Sequence, residues 1–157
     1  AQAKSAEWMA NLSVNLIAPV LMIQAALPYL RETQGRIINV SSGAADKAYP
    51  GWAAYCSAKI GLNLMTQGLA VEEPAITCLA VKPGIVDTEM QNVVRTKGQG
   101  GMPDDLHSFF IGLHEKGKLL PPEVPGKAIA HLALETPHEW SGQCLAWNDE
   151  KVKALLA

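Results

Sequence analysis

The sequence predicts an α/β fold, a parallel sheet with helices on both faces, and three observations carry that expectation. Apolar helical stretches alternate along the chain with short β-branched runs. The two clearest runs, "RIINVSS" (36–42) and "ITCLAVK" (76–82), are continuous rather than alternating, the pattern of a strand buried on both faces. Each run is stopped by Ser, Gly or Pro and followed by a helical pattern, so successive strands connect through helices, as parallel pairing requires.

Taken in order, residues 5–30 read as a helix with Leu12, Leu16, Val20, Ile23 and Leu27 on one side. Trp8, Met9, Ile17, Leu21 and Met22 occupy other sides, so the helix is expected to be covered on more than one face. Pro19 has no N–H and predicts a bend. Gly35 precedes the first strand, and Pro50-Gly51 opens a second helix over 52–72. Pro83-Gly84 stops the second strand. Residues 87–120 are less regular: a short helix near 88–95, a flexible "TKGQGGMPDD" (96–105), then the helical "LHSFFIGLHEKG" (106–117). Pro121, Pro122 and Pro125 introduce a helix over about 123–135, and "QCLAWN" (143–148) is the last strand. Three strands are few for this architecture. An apolar helix with no strand ahead of it predicts a chain that begins partway through a larger fold.

The 157 residues, 48% of them hydrophobic, fit a single domain over 1–157 with one core. A net charge of −2 with no basic stripe argues against nucleic acid or an anionic membrane as a partner. The longest apolar stretch, 16–30, is interrupted by Pro19, Gln24 and Pro28 and has no basic leader, so neither a spanning helix nor a signal peptide is expected. Cys56, Cys78 and Cys144 are odd in number and widely spaced, which suits free thiols and a cytoplasmic location. The histidine pairs His107/His114 and His131/His138 have no Cys or carboxylate at ligand spacing, so no metal site is expected. "KGQGGM" (97–102) follows no strand and reads as a mobile lid rather than a phosphate loop.

Ligands of open α/β sheets sit beyond the carboxyl ends of the strands. Ser41 and Ser42 close the first strand there, and Lys82-Pro83-Gly84 closes the second. Tyr55 falls early in the next helix, where its hydroxyl can fold back toward Ser42, and Lys59 lies under the same ring at i+4. An ammonium beside a phenol favours the phenolate, which lets Tyr55 exchange a proton with a carbonyl or alcohol oxygen held by Ser42. Carbonyl reduction or alcohol oxidation is the matching chemistry, with hydride from a cofactor because no side chain supplies one.

Ser42, twelve intervening residues, Tyr55, three more, Lys59, and then "PGIVDT" (83–88) together resemble the short-chain dehydrogenase/reductase family. "VNLIAPV" (14–20) is similar to its "VN" segment and "SGQCLAWND" (141–149) to its closing strand, with Glu150 and Lys151 where the family has glycines. The resemblance runs over nearly the whole chain. It implies a three-layer Rossmann-like parallel sheet, incomplete here, with about three strands, flanking helices and the first β-α units missing. Residue by residue, it implies Tyr55 as the acid/base and Lys59 as the group that lowers its pKa and grips the nicotinamide ribose. Ser42 would orient the substrate oxygen, and Asn15 would hold a water linking Lys59 to solvent. Pro83 and Gly84 would turn the chain, the Val86 backbone would meet the nicotinamide carboxamide, and Thr88 would hydrogen-bond the carboxamide or a phosphate.

The resemblance further implies NADP as cofactor, with NAD as the alternative, and a small-molecule carbonyl as substrate. It makes 87–120 the substrate lid, where Met90, Met102, Phe109 and Phe110 either line an apolar pocket or pack the lid. Helices 5–30 and 52–72 would pair in a homodimer. "EEPAITCLAVKPGIVDTEMQ" with the "WND" ending is similar, more specifically, to sepiapterin-reductase-like and benzil-reductase-like members, which reduce vicinal dicarbonyls with NADPH. The family opens on a Gly-rich strand-turn-helix that cradles a pyrophosphate. Restoring it here implies about 90 further residues upstream. The alternative is a catalytically inactive relative that serves as an interaction or dimerisation module.

Overall fold

A computed structural model describes residues 3–156. β1 (Arg36–Val40), β2 (Thr77–Lys82) and β3 (Cys144–Ala146) form one parallel sheet in the order β1-β2-β3. Arg36 stands opposite Thr77 and Val40 opposite Val81, while Ala80 faces Cys144 and Lys82 faces Ala146. β2 is the central strand, and its apolar run is buried on both faces. Ile37 and Cys78 pack on one side with Ile23 of α2 (Ala18–Thr33) and Leu69 of α3 (Ala53–Glu72). Leu79, Val81 and Leu145 pack on the other with Ala128 and Leu132 of α6 (Glu123–Glu135) and Val152 of α7 (Glu150–Leu156). These are the three layers and three parallel strands expected.

The bend expected at Pro19 is a π turn. α1 (Ser5–Leu12) runs into a π-helical segment at Ser13–Ile17 before α2 resumes, and the Ala18 N–H donates to the Ser13 carbonyl five residues back. Pro19 cannot donate to Asn15, so the ladder widens there instead of breaking. Ser5–Thr33 is therefore one continuous helical stretch, long and apolar enough by length and composition alone to cross a membrane. That corrects the expectation that its prolines interrupt it: Pro28 is absorbed inside α2. The stretch packs on α3, where Gly61 brings the two backbones close enough that a Cβ would stand 3.2 Å from Leu16.

α3 opens from a type II turn, Tyr49-Pro50-Gly51-Trp52, closed by the Trp52 N–H on the Tyr49 carbonyl at 3.0 Å with Gly51 at φ +86°. α4 (Glu89–Lys97) and α5 (Asp104–Glu115) follow β2. Between them the glycine segment is a bridged turn rather than an extended loop, with Gln99 paired to Met102 and Gly101 N–H on the Gly98 carbonyl at 3.0 Å. α7 has no counterpart in the sequence reading. Its seven residues are too few for periodicity to register, and its start is set by Asp149, which accepts the Lys151 N–H at 3.0 Å.

Candidate active site

The carboxyl ends of β1 and β2 hold most of the expected residues. Ser42 follows β1 in extended geometry, and its Oγ accepts the Ala44 N–H at 3.1 Å, capping a 3₁₀ turn at Gly43–Ala45. Tyr55 lies in the first turn of α3, half-buried, with its ring edge-on to Trp52 at 6.0 Å. Trp52 is stacked on the buried Phe110 at 5.3 Å, so the wall beside Tyr55 is rigid. Lys59 sits one turn further along. Its Nζ lies 5.7 Å from the Tyr55 ring centroid and donates to the Val40 carbonyl at 2.9 Å. Burial pushes the Lys59 pKa below its ordinary value.

Asn15 occupies the π turn, where its Nδ2 donates to the Asn11 carbonyl at 3.1 Å. Because Pro19 has no N–H, the Asn15 main-chain carbonyl loses its ordinary helical donor. Past β2, Gly84 takes φ +82°, and a Cβ there would stand 2.7 Å from Leu120 and 3.1 Å from the Trp147 indole nitrogen. Residues 85–88 are stitched to Leu120 by Asp87 N–H on the Leu120 carbonyl and Leu120 N–H on the Ile85 carbonyl, both 2.9 Å. Val86 forms a bridge with Leu120, and the Thr88 hydroxyl donates to the Val86 carbonyl at 3.4 Å.

A cavity of about 880 Å³ opens beside Tyr55, lined among others by Trp8, Asn15, Trp52, Met90 and Met102. It brings together Asn15 and Tyr55, whereas Ser42, Lys59, Pro83, Gly84, Val86 and Thr88 lie outside its lining. Of the apolar residues expected in the 87–120 region, Met90 and Met102 face the cavity, Phe110 backs Trp52, and Phe109 is half exposed. Trp8 and Asp46 escaped the sequence reading. Trp8 was placed on a helix face but not in a site, although Trp8, Asn11 and Asn15 follow helical spacing. Lys82 donates to Asp46 Oδ2 at 2.8 Å, which ties the turn after Ser42 to the residue before Pro83. Hydrogen bonding to Asp46 raises the Lys82 pKa. Two of the four histidines are bonded elsewhere: His107 Nε2 lies 2.8 Å from the Arg95 carbonyl and His138 Nδ1 lies 3.1 Å from the Thr77 hydroxyl.

The glycine turn closes the cavity against the helix that carries Tyr55. A Cβ on Gly51 would stand 2.1 Å from the Gly101 carbonyl oxygen, so the two backbones touch. Gly51→Ala combines that clash with a positive φ and is expected to destabilise the fold by about 2 kcal/mol. Urea unfolding measures the loss, and an unchanged midpoint would contradict this contact.

Residues 1–99 match the family described as short chain dehydrogenase. The chain is 38% identical to benzil reductase ((S)-benzoin forming) of Bacillus cereus over 152 residues, 92% of this chain and 59% of that protein. It superposes on the crystal structure of the YIR035C short chain dehydrogenases/reductase from Saccharomyces cerevisiae with a TM-score of 0.95 at 35% identity, covering 98% of this chain and 62% of that one. On ElxO with NADP bound the TM-score is 0.72 at 27% identity, covering 92% of this chain and 58% of that one. The chain thus spans less than two thirds of the length of the proteins it matches.

Proposed function

The chain belongs to the short-chain dehydrogenase family, and on that premise we propose that it carries the catalytic, nicotinamide-facing part of an NADP(H)-dependent oxidoreductase. The reaction interconverts a carbonyl, a vicinal dicarbonyl in our reading, and a secondary alcohol. One observation carries the proposal: Lys59 is turned inward, its ammonium beside the Tyr55 ring and bonded to the Val40 carbonyl. A lysine serving only as a solvated helix residue would have its head in water.

The residues fit the nicotinamide end of the cofactor. Tyr55 and Lys59 present a hydroxyl and an ammonium from adjacent turns, and Gly84, with no Cβ, keeps the 83–88 loop clear between Leu120 and Trp147. Val86 and Thr88 would meet the carboxamide side. Among the described residues the glycine cluster at 97–102 lies between α4 and α5, not between a strand and a helix, and so does not fit a pyrophosphate. Bound NADPH supplies the hydride. Tyr55 gives its proton to the carbonyl oxygen as charge develops there, Ser42 donates a hydrogen bond to the same oxygen, and Lys59 stabilises the phenolate left behind. The freed Asn15 carbonyl would seat a water that returns the proton to Lys59.

Substrate selection falls to the cavity. Two indoles and two thioethers beside Tyr55 favour an apolar flank on the carbonyl, in keeping with the benzil reductase relative. Residues 87–120 would act as the lid. The three cysteines are free, which supports a reducing, cytoplasmic setting. Intact mass with an NADPH fluorescence titration tests the assignment. NADPH binding by a species heavier than 16.8 kDa supports the oxidoreductase, whereas a 16.8 kDa species without binding favours an interaction module.

The homodimer reading rests on exposed apolar side chains of the two packed helices. Val14, Leu21 and Met22 on the first, and Ile60 and Leu64 on the second, are more than half exposed. A row of this kind is an association surface in a soluble protein. Leu64→Glu would place a charge in that surface and is expected to convert a dimer to monomer in light scattering, with the monomer's helix content unchanged. A monomeric wild-type protein would remove this reading.

A further inference from the structure

Two hydrogen bonds, one buried and one partly buried, lie between α3 and the C-terminal end of β1. Asn39 Nδ2 donates to Thr66 Oγ1 at 2.9 Å, and the Ser41 hydroxyl donates to Asn63 Oδ1 at 2.5 Å. Asn39, Ser41 and Thr66 are all buried, Thr66 completely. The Lys59 ammonium on the Val40 carbonyl makes a third rung. Asn39 and Val40 of β1 and Ser41 just past its end thus hold three successive turns of α3. On the strand, Asn39 and Ser41 point to one face, with the Val40 carbonyl between them. On the helix, Tyr55, Lys59, Asn63 and Thr66 follow spacings of four, four and three, one stripe. The next residue up the helix stripe is Tyr55, and the next along the strand is Ser42.

We propose that Asn39–Thr66 and Ser41–Asn63 are positioning pairs that set the rotation and height of α3 on β1, and thereby bring Tyr55 and Lys59 to the oxygen site at Ser42. The inference rests on the oxidoreductase reading above. Apolar contacts such as Ala58, Leu62 and Leu69 hold the helix down but are non-directional, and helix packing angles scatter by about 15–20°. Hydrogen bonds near 2.9 Å fix distance and angle together. Apolar side chains of the same shape would fill this interface equally well, since replacing both partners of a buried bond can be nearly neutral. The polar rungs therefore contribute orientation. Thr66 is held to one rotamer because its hydroxyl also donates to the Leu62 carbonyl at 2.8 Å, leaving its oxygen aimed at Asn39.

The test uses the full-length protein with the double variant Asn39→Leu/Thr66→Val, which removes both partners of one rung, and the single variant Thr66→Ser, which keeps the hydroxyl. The double variant is expected to melt within about 3 °C of wild type. Its kcat should fall about 10- to 100-fold, the cost of a misplacement approaching 1 Å. NADPH affinity by fluorescence titration should stay within about twofold, because the Lys59–Val40 rung remains. Thr66→Ser should retain wild-type kcat. A crystal structure of the double variant should show α3 rotated, with the Tyr55 hydroxyl displaced by more than about 0.5 Å. Wild-type kcat in the double variant, or an undisplaced Tyr55, overturns the proposal. If the double variant instead loses its melting transition, Asn63→Leu with Ser41→Ala repeats the test on the other rung, with the same outcomes expected. A wild-type protein without NADPH-dependent turnover would defeat the oxidoreductase reading while leaving the structural displacement to judge the rungs by itself.

Discussion

Tyr55→Phe is expected to lower the turnover of carbonyl reduction by about 10³-fold while leaving the fold and NADPH affinity intact. A positioned acid contributes about 10² to 10⁴ in rate. Phenylalanine keeps the ring that meets Trp52 edge-on, so the stack from Trp52 to Phe110 is preserved. Among the described residues the Tyr55 hydroxyl has no hydrogen bond to the protein, so its removal leaves no buried partner unpaired. The substitution thus separates chemistry from packing. Thermal melting and NADPH titration should match wild type, and steady-state kinetics should show the loss in kcat. Unchanged turnover would mean that Tyr55 is a wall residue of the cavity and that another group delivers the proton.

Lys59→Met is expected to lower kcat/KM by about 10²-fold or more, because in the proposed mechanism the phenolate would lose the charge that stabilises it and the nicotinamide ribose would lose its donor. Stability should respond differently. Burial disfavours the Lys59 ammonium, so its native pKa lies below the ordinary value of 10.5. Between the lowered native value and 10.5, the unfolded chain binds more protons than the folded one, and stability from this group rises with pH. Below the native value the cost of the buried charge is fully present. Methionine removes that cost and leaves the Val40 carbonyl, whose bond to Lys59 is exposed, to water. The melting temperature of Lys59→Met relative to wild type should therefore fall as pH rises from neutral toward 10.5, because wild type recovers its buried-charge cost over that interval. A pH-independent difference would contradict a desolvated lysine.

Strands and layers were legible because β2 is buried on both faces, and a continuous apolar run such as Leu79-Ala80-Val81 has few other uses. The candidate set we propose could be read from the sequence because Ser42, Tyr55 and Lys59 sit close together and their separation spans one strand end and one helix turn. What the sequence hid was geometry set by pairs distant in the chain. Asp46 and Lys82 carry no local signal that they meet across two strand ends. Gly51 and Gly101 read as ordinary turn residues until their backbones are seen to touch. Pro19 signalled a disruption, but whether a proline kinks, breaks or widens a helix depends on what packs against it, and here α3 packs on α1 and on the π turn itself. Trp8 was ambiguous for the same reason. A helix that is apolar on several sides, with Met9, Leu21 and Met22 left exposed instead of covered as expected, offers no periodic clue to which side faces a cavity.

The most direct measurement is turnover of a vicinal diketone such as benzil by the purified full-length protein, followed as loss of the reduced-nicotinamide signal. Consumption of one NADPH for each hydroxyketone formed, abolished by Tyr55→Phe with NADPH still bound, is the expected result. NADPH bound without reduction of any dicarbonyl, or reduction that survives the loss of the Tyr55 hydroxyl, would contradict it.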